Sequence, residues 1–279
     1  TAGIAPWHDF FWANLVSMAY ALWPKKVNSA IGVIDSDGLR LWKYFTGRTP
    51  EPTLTNSANL AEKTNSGNMS PAPPLSDASR KALTEAVALL ESGDLDEAQA
   101  TVMRALSIDA NNKYLQFIRN TIISESGDLQ TARTEISALS NRHDLTDFER
   151  AVNCNNLAYT YALIGDPELL AEADALSKHA LSLLPQITFA RGTRAAVLIS
   201  LGQFAEGEKI IAGLPANIES RRGHAHICCW LALAQCRQGR TEEARQSLLL
   251  ARQNYPKCLL IPRIEKIISS SESPPEPTS

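Results

Sequence analysis

Apolar residues return at helical spacing through most of this chain. Leu83, Val87 and Leu90 fall at steps of four and three, which places them on one face of a helix. Ser76 or Asp77 stands where the N-cap of that helix belongs, Gly93 breaks it, and Asp94 is placed to cap the next. The break recurs. Gly93, Gly127, Gly165, Gly202 and Gly239 are separated by 34, 38, 37 and 37 residues. Gly93 opens Gly-Asp-Leu-Asp-Glu-Ala, Gly127 opens Gly-Asp-Leu-Gln-Thr-Ala, and Gly239 opens Gly-Arg-Thr-Glu-Glu-Ala. A period of this length predicts stacked helix pairs, each leaving an apolar face for its neighbour to cover.

Small residues keep step with the glycines. Ala98 and Ala105 follow Gly93 at the offsets at which Ala244 and Ala251 follow Gly239. After Gly165 the equivalents arrive three residues late, as Ala173 and Ala180, so a three-residue insertion at Asp166–Leu169 is expected. Alanine there lets the second helix of a pair lie close to its neighbours, and the glycine permits the reversal between the two helices. Leu139 and Gly207 depart from the alanine pattern in the second and fourth units.

The pattern resembles the tetratricopeptide repeat. The run ESGDLDEAQATVMRALSIDANN is similar to the second half of that repeat and NLAYTYALIGD to the first, with Leu157, Ala158 and Tyr161 in its Leu, small and Tyr places. Leu231 and Ala232 match likewise before Gly239. The resemblance implies an all-α, right-handed superhelical array of about five helix pairs over residues 76–268. It also implies a concave groove that holds a peptide or protein partner. Carried over by offset, the groove positions are Tyr114, Phe117, Asn155, Asn156, Tyr159, Phe189, His226 and Trp230, a mainly aromatic or uncharged set.

The ends have a different character. Residues 1–47 hold an apolar, aromatic run, IAPWHDFFWANLVSMAYALW over 4–23, followed by Lys25 and Lys26. Its length suits a bilayer core, its tryptophans suit the interface, and the cations would place its C-terminal side in the cytoplasm. Residues 48–75, rich in Pro, Ser, Thr and Asn, are expected to be a linker, and 269–279 a disordered tail. The chain opens on Thr1 with no basic stretch before the apolar run, so no secretory signal is read and upstream sequence is expected.

Residues 14–43, NLVSMAYALWPKKVNSAIGVIDSDGLRLWK, resemble the late segment of site-2 proteases, which are intramembrane zinc metallopeptidases. The resemblance matches Asn14 to the family's asparagine, Asp37 to its third zinc ligand and Gly38 to the following glycine. It implies zinc in the full-length protein and a membrane-embedded peptidase whose array binds partners or substrates. Ser17 replaces the family's proline, and a His-Glu-x-x-His run does not occur in the 279 residues, so this chain alone is expected to be inactive. The other expectation is a non-enzymatic scaffold, membrane-tethered or soluble in the cytoplasm.

Composition narrows these readings. With 44% hydrophobic and 20% charged residues the bulk is globular, and a net charge of −3 with no basic stripe argues against nucleic acid as a partner. The acidic residues of the array fall at helix-surface spacing and are read as solvated faces. Five cysteines, Cys154, Cys228, Cys229, Cys236 and Cys258, are read as buried, reduced thiols. His226, Cys229 and Cys236 would share a helix face with His224 nearby, but one helix rarely encloses a metal and no Cys-x-x-Cys pair is present.

Overall fold

The computed structural model describes residues 76–185, 187–215, 218 and 220–271, together with the backbone of two short strands. The strands, β1 (Lys26–Ser29) and β2 (Gly32–Asp35), pair antiparallel with Lys26 opposite Asp35 and Ser29 opposite Gly32. They lie within residues 14–43, the stretch whose sequence resembles the late segment of site-2 proteases. The 4–23 run, the 48–75 linker, and Asn14, Asp37 and Gly38 lie outside the described residues.

Residues 77–270 form eleven helices: α1 (Asp77–Ser92), α2 (Leu95–Ile108), α3 (Lys113–Glu125), α4 (Leu129–Ser140), α5 (Asp147–Ile164), α6 (Pro167–Leu183), α7 (Thr188–Ser200), α8 (Phe204–Ala212), α9 (Arg221–Arg237), α10 (Thr241–Asn254) and α11 (Leu260–Ser270). The first ten make the five expected pairs of a superhelical array. The eleventh is followed by no second helix among the described residues. It packs Ile261, Ile264 and Ile268 onto the last pair and closes that end of the core. Helix thus continues to Ser270, past the residue at which a disordered tail was expected.

All five repeat glycines adopt the left-handed conformation, with φ between 73° and 90°. At Gly93, Asp94 N–H donates to Leu89 C=O (2.8 Å) and Gly93 N–H to Leu90 C=O (3.2 Å), the two bonds that end a helix in a tight reversal. Helix starts are fixed by side chains. Ser76 accepts from Ser79 N–H, Asn112 from Tyr114 and Leu115 N–H, and Thr146 and Glu149 make a reciprocal capping box at α5. Asp94 makes no such cap. Its carboxylate instead accepts from Ser92 Oγ (2.6 Å) and Lys257 Nζ (3.2 Å).

The insertion after Gly165 is absorbed as added helix. Helix α6 has 17 residues where α2 and α10 have 14, so Ala173 still meets its neighbour although it comes later in the chain. Ala98, Ala132, Ala173 and Ala244 are fully buried at the close contacts. At the fourth pair the approach is closer still. A Cβ on Gly207 would lie 2.5 Å from Ile199 Cγ1 and 3.0 Å from the Ala195 carbonyl oxygen. Glycine takes alanine's place because α8 rests directly on α7.

Gly207→Ala is expected to cost about 1–3 kcal/mol of unfolding free energy, since overpacking outweighs alanine's helix preference. Gly202→Ala, with φ 80° and open space around it, should cost about 1–2 kcal/mol through the backbone alone. Denaturant unfolding curves measure both; an unchanged midpoint for Gly207→Ala would mean that α7 and α8 separate freely.

Candidate functional site

The inner face of the array is built from the first helices of the pairs, and the fifth pair folds across it. Ser220, the N-cap of α9, holds Gly223 N–H (2.9 Å) and donates its hydroxyl to both Glu91 oxygens of α1 (2.9 and 3.0 Å). Two residues on, the fully buried Arg222 guanidinium pairs with Glu125 at the end of α3, and its Nε lies 3.5 Å from Glu91. His226, one turn further, sets Nε2 3.1 Å from Glu125 and Nδ1 2.5 Å from the Tyr159 hydroxyl of α5. Trp230, a further turn on, donates its indole N–H to the same hydroxyl at 3.3 Å. Arg222, His226 and Trp230 thus line one stripe of α9 and tie it to α1, α3 and α5.

Two outer contacts strengthen the closure. Lys257 donates to the Gly93 carbonyl at 3.1 Å, and Arg263 of α11 donates to the Leu163 carbonyl at 2.7 Å. Both carbonyls lie at helix C-termini, where a cation is favoured.

The charges inside are arranged against helix-dipole preference. Glu91 and Glu125 sit near the negative ends of α1 and α3, and Arg222 near the positive end of α9. Each is unfavourable alone and compensated by the others. Burial would push the Glu125 carboxyl up; the charges of His226 and Arg222 outweigh that and hold it at about 2. Burial would likewise lower His226, but the negative partners Cys258 and Glu125 raise it well above its ordinary value, so both ring nitrogens donate. Burial pushes the Tyr159 hydroxyl up to about 12, which keeps it protonated between the His226 and Trp230 donors.

The expected groove positions divide between two places, and neither is an open groove surface in this arrangement. Tyr159, His226 and Trp230 belong to the buried network just described, 7%, 3% and 3% exposed. Phe117 and Phe189 are buried in a separate apolar cluster with Leu139 and Leu184, and half-buried Tyr114 packs against it. Asn155 and Asn156 are buried within α5, where the Asn155 amide donates to Asn156 at 3.4 Å. Offsets from the repeat glycine locate the inner side but carry no information about what covers it.

Sequence reasoning missed the carboxylates. Glu91, Glu125 and Glu149 were assigned to solvated faces, yet their side chains are 6%, 3% and 1% exposed. Glu149 serves the α5 capping box and pairs with Lys113 of α3 at 2.7 Å. For Glu91, Glu125 and Arg222 a signal was present: acids at the end of a helix and a base at the start of one. The cysteines are free as expected, four of them buried and Cys154 partly so. Among the described residues no group of three or more His, Cys, Asp or Glu is arranged for a metal ion. His226 is engaged with Glu125 and Tyr159, Cys229 faces Cys258, and Cys236 faces Ser271. Among the same residues no helix is long and apolar enough to cross a membrane.

Residues 82–112 match the tetratricopeptide repeat family. A tetratricopeptide repeat protein of Thermus thermophilus superimposes with a TM-score of 0.50 at 19% identity, over 69% of this chain and 97% of that one. A second, described as YrrB, a tetratricopeptide repeat protein with an unusual peptide-binding site, gives 0.36 at 18% identity over 68% and 92%. No curated protein sequence matches the chain. The Thermus neighbour, with the repeat geometry above, establishes the fold as a tetratricopeptide-type array.

Glu125→Gln is expected to cost about 3 kcal/mol near neutral pH, because it removes one charge from a buried cluster. The contribution of Glu125 is complete above its ordinary value of 4.5 and is lost as pH falls through about 2. The gap between wild type and variant should therefore narrow steadily over that range in acid unfolding titrations. A gap that stays constant down to pH 2 would show that this carboxylate is not held in its ionised form.

Proposed function

We propose that the described domain is a protein-interaction module, and that a partner helix docks on the uncovered face of its first pair. Stacking supports this. Each later first helix packs against the second helix of the pair before it, whereas no described residue performs that service for α1. Its outward face joins α2 in an open hollow of about 290 Å³ lined by Ala78, Ala82, Glu85, Arg104, Ala105 and Ile108.

The lining favours a helix as the occupant. Ala78 and Ala82 are one turn apart on α1, and Ala105 and Ile108 one turn apart on α2, so a shallow apolar channel of small residues runs between them. Ala105 is only half-buried, while its counterparts Ala180 and Ala251 are covered, and Ile108 is 84% exposed. Lys81 and Arg104 at the margin suit a partner helix that carries an apolar stripe with a flanking acid. The tetratricopeptide resemblance supports partner recognition in general, and the closed inner face directs it here.

The peptidase expectation rests on Asn14, Asp37 and Gly38, with zinc as the implied metal, and membrane contact rests on residues 4–23; all of these lie outside the described residues. No observation on the array favours catalysis over recognition.

A photo-reactive amino acid at position 82, activated in the native host, should join the chain to one protein. Ile108→Glu should abolish that product, and a probe at exposed Leu250 on α10 should not form it. A product formed equally from position 250, or one joining position 82 to this chain's own residues, would overturn the reading.

A further inference from the structure

Cys229 lies on α9, one turn beyond His226, and Cys258 lies in the connection between α10 and α11. Both are buried, 0% and 2% exposed, and their sulfurs are 3.9 Å apart, in van der Waals contact. Cys258 is anchored by its N–H to the Tyr255 carbonyl at 3.1 Å, and its carbonyl accepts from Ile261 N–H at the start of α11. A bond between the two sulfurs would tie the helix that crosses the inner face to the turn that leads into the capping helix. No part of the partner-docking reading is needed for this.

We propose that Cys229 and Cys258 are a disulfide-forming pair, closed by a peroxide-class oxidant, with Cys258 as the attacking thiolate and Cys229 as the resolving thiol. The surroundings divide the roles. Contact with the Cys229 thiol and the neighbouring His226 draw the Cys258 thiol well below its ordinary value, against the cost of burial. Contact with Cys258 and burial push the Cys229 thiol up. Burial also pushes up Cys228, to about 11, and Cys154, so neither competes as a thiolate.

In the first step the Cys258 sulfur attacks one peroxide oxygen. The O–O bond breaks, the departing hydroxide takes up a proton as water, and a sulfenic acid remains on Cys258. In the second step the Cys229 sulfur attacks the Cys258 sulfur. The S–O bond breaks, and the leaving hydroxide departs as water with the Cys229 proton. Two thiols lose two electrons, and one hydrogen peroxide becomes two waters. Burial limits the reaction to small oxidants and shields the product from bulky reductants.

The test treats the folded, reduced wild-type chain with millimolar hydrogen peroxide at neutral pH. The remaining thiols are then blocked in denaturant and the peptides mapped. The expected result is a mass lower by two hydrogens, a linked peptide pair holding Cys229 and Cys258, and a raised thermal midpoint that a small reductant reverses. Cys229→Ser should leave a sulfenic acid on Cys258 that dimedone traps, and Cys258→Ser should leave Cys229 as a thiol. Should Cys154 or Cys228 oxidise first, or Cys229 and Cys258 both remain open to alkylation after prolonged exposure, the proposal fails on the wild-type data alone.

Discussion

How close two helices may lie sets the winding of this array. A left-handed glycine at each of five reversals returns the second helix of a pair directly along the first, and buried alanines keep the two backbones close. Where alanine would still be too large, at Gly207, the side chain is gone altogether. Small steps of this kind accumulate from pair to pair. They bring α9 back within hydrogen-bonding distance of α1, so that the first and fifth pairs meet.

That meeting is polar, which is unusual for the middle of a helical protein. An Arg, a His and two Glu side chains are withdrawn from water at one place, and each is costly to bury without the others. Apolar residues of similar volume would hold the helices together without specifying how they meet. The fork of Arg222 between Glu91 and Glu125, and the two ring nitrogens of His226, accept one relative placement of four helices. Here a buried charge cluster sets register. The left-handed glycines supply the approach, and the cluster defines where the approach stops.

Much of this was legible in the residues. The glycine steps gave the reversals, the alanines gave the close contacts, and the late arrival of Ala173 foretold extra residues after Gly165, which the fold spends on lengthening α6. Offsets placed Tyr159, His226 and Trp230 on the inner side. What covers them was not legible, because periodicity describes a unit and its neighbour, and closure is a relation between units far apart. The two short strands escaped for a different reason: Lys-Val-Asn-Ser and Gly-Val-Ile-Asp are too brief to show an alternation of their own. Asp94 was a plausible cap by position, and a lysine 163 residues away claims its carboxylate instead.

Closure has a consequence for how the chain reaches this state. Repeat arrays usually contain only near-neighbour contacts, so they fold from any point and fray from their ends. Here the Ser220–Glu91 bond spans 129 residues and the Lys257–Gly93 bond 164, so the two ends are joined by long-range bonds that an open solenoid lacks. On a ribosome the first three pairs emerge long before Arg222 is made. Until it arrives, Glu91 and Glu125 must stay hydrated, and the nascent domain must wait with its interior open.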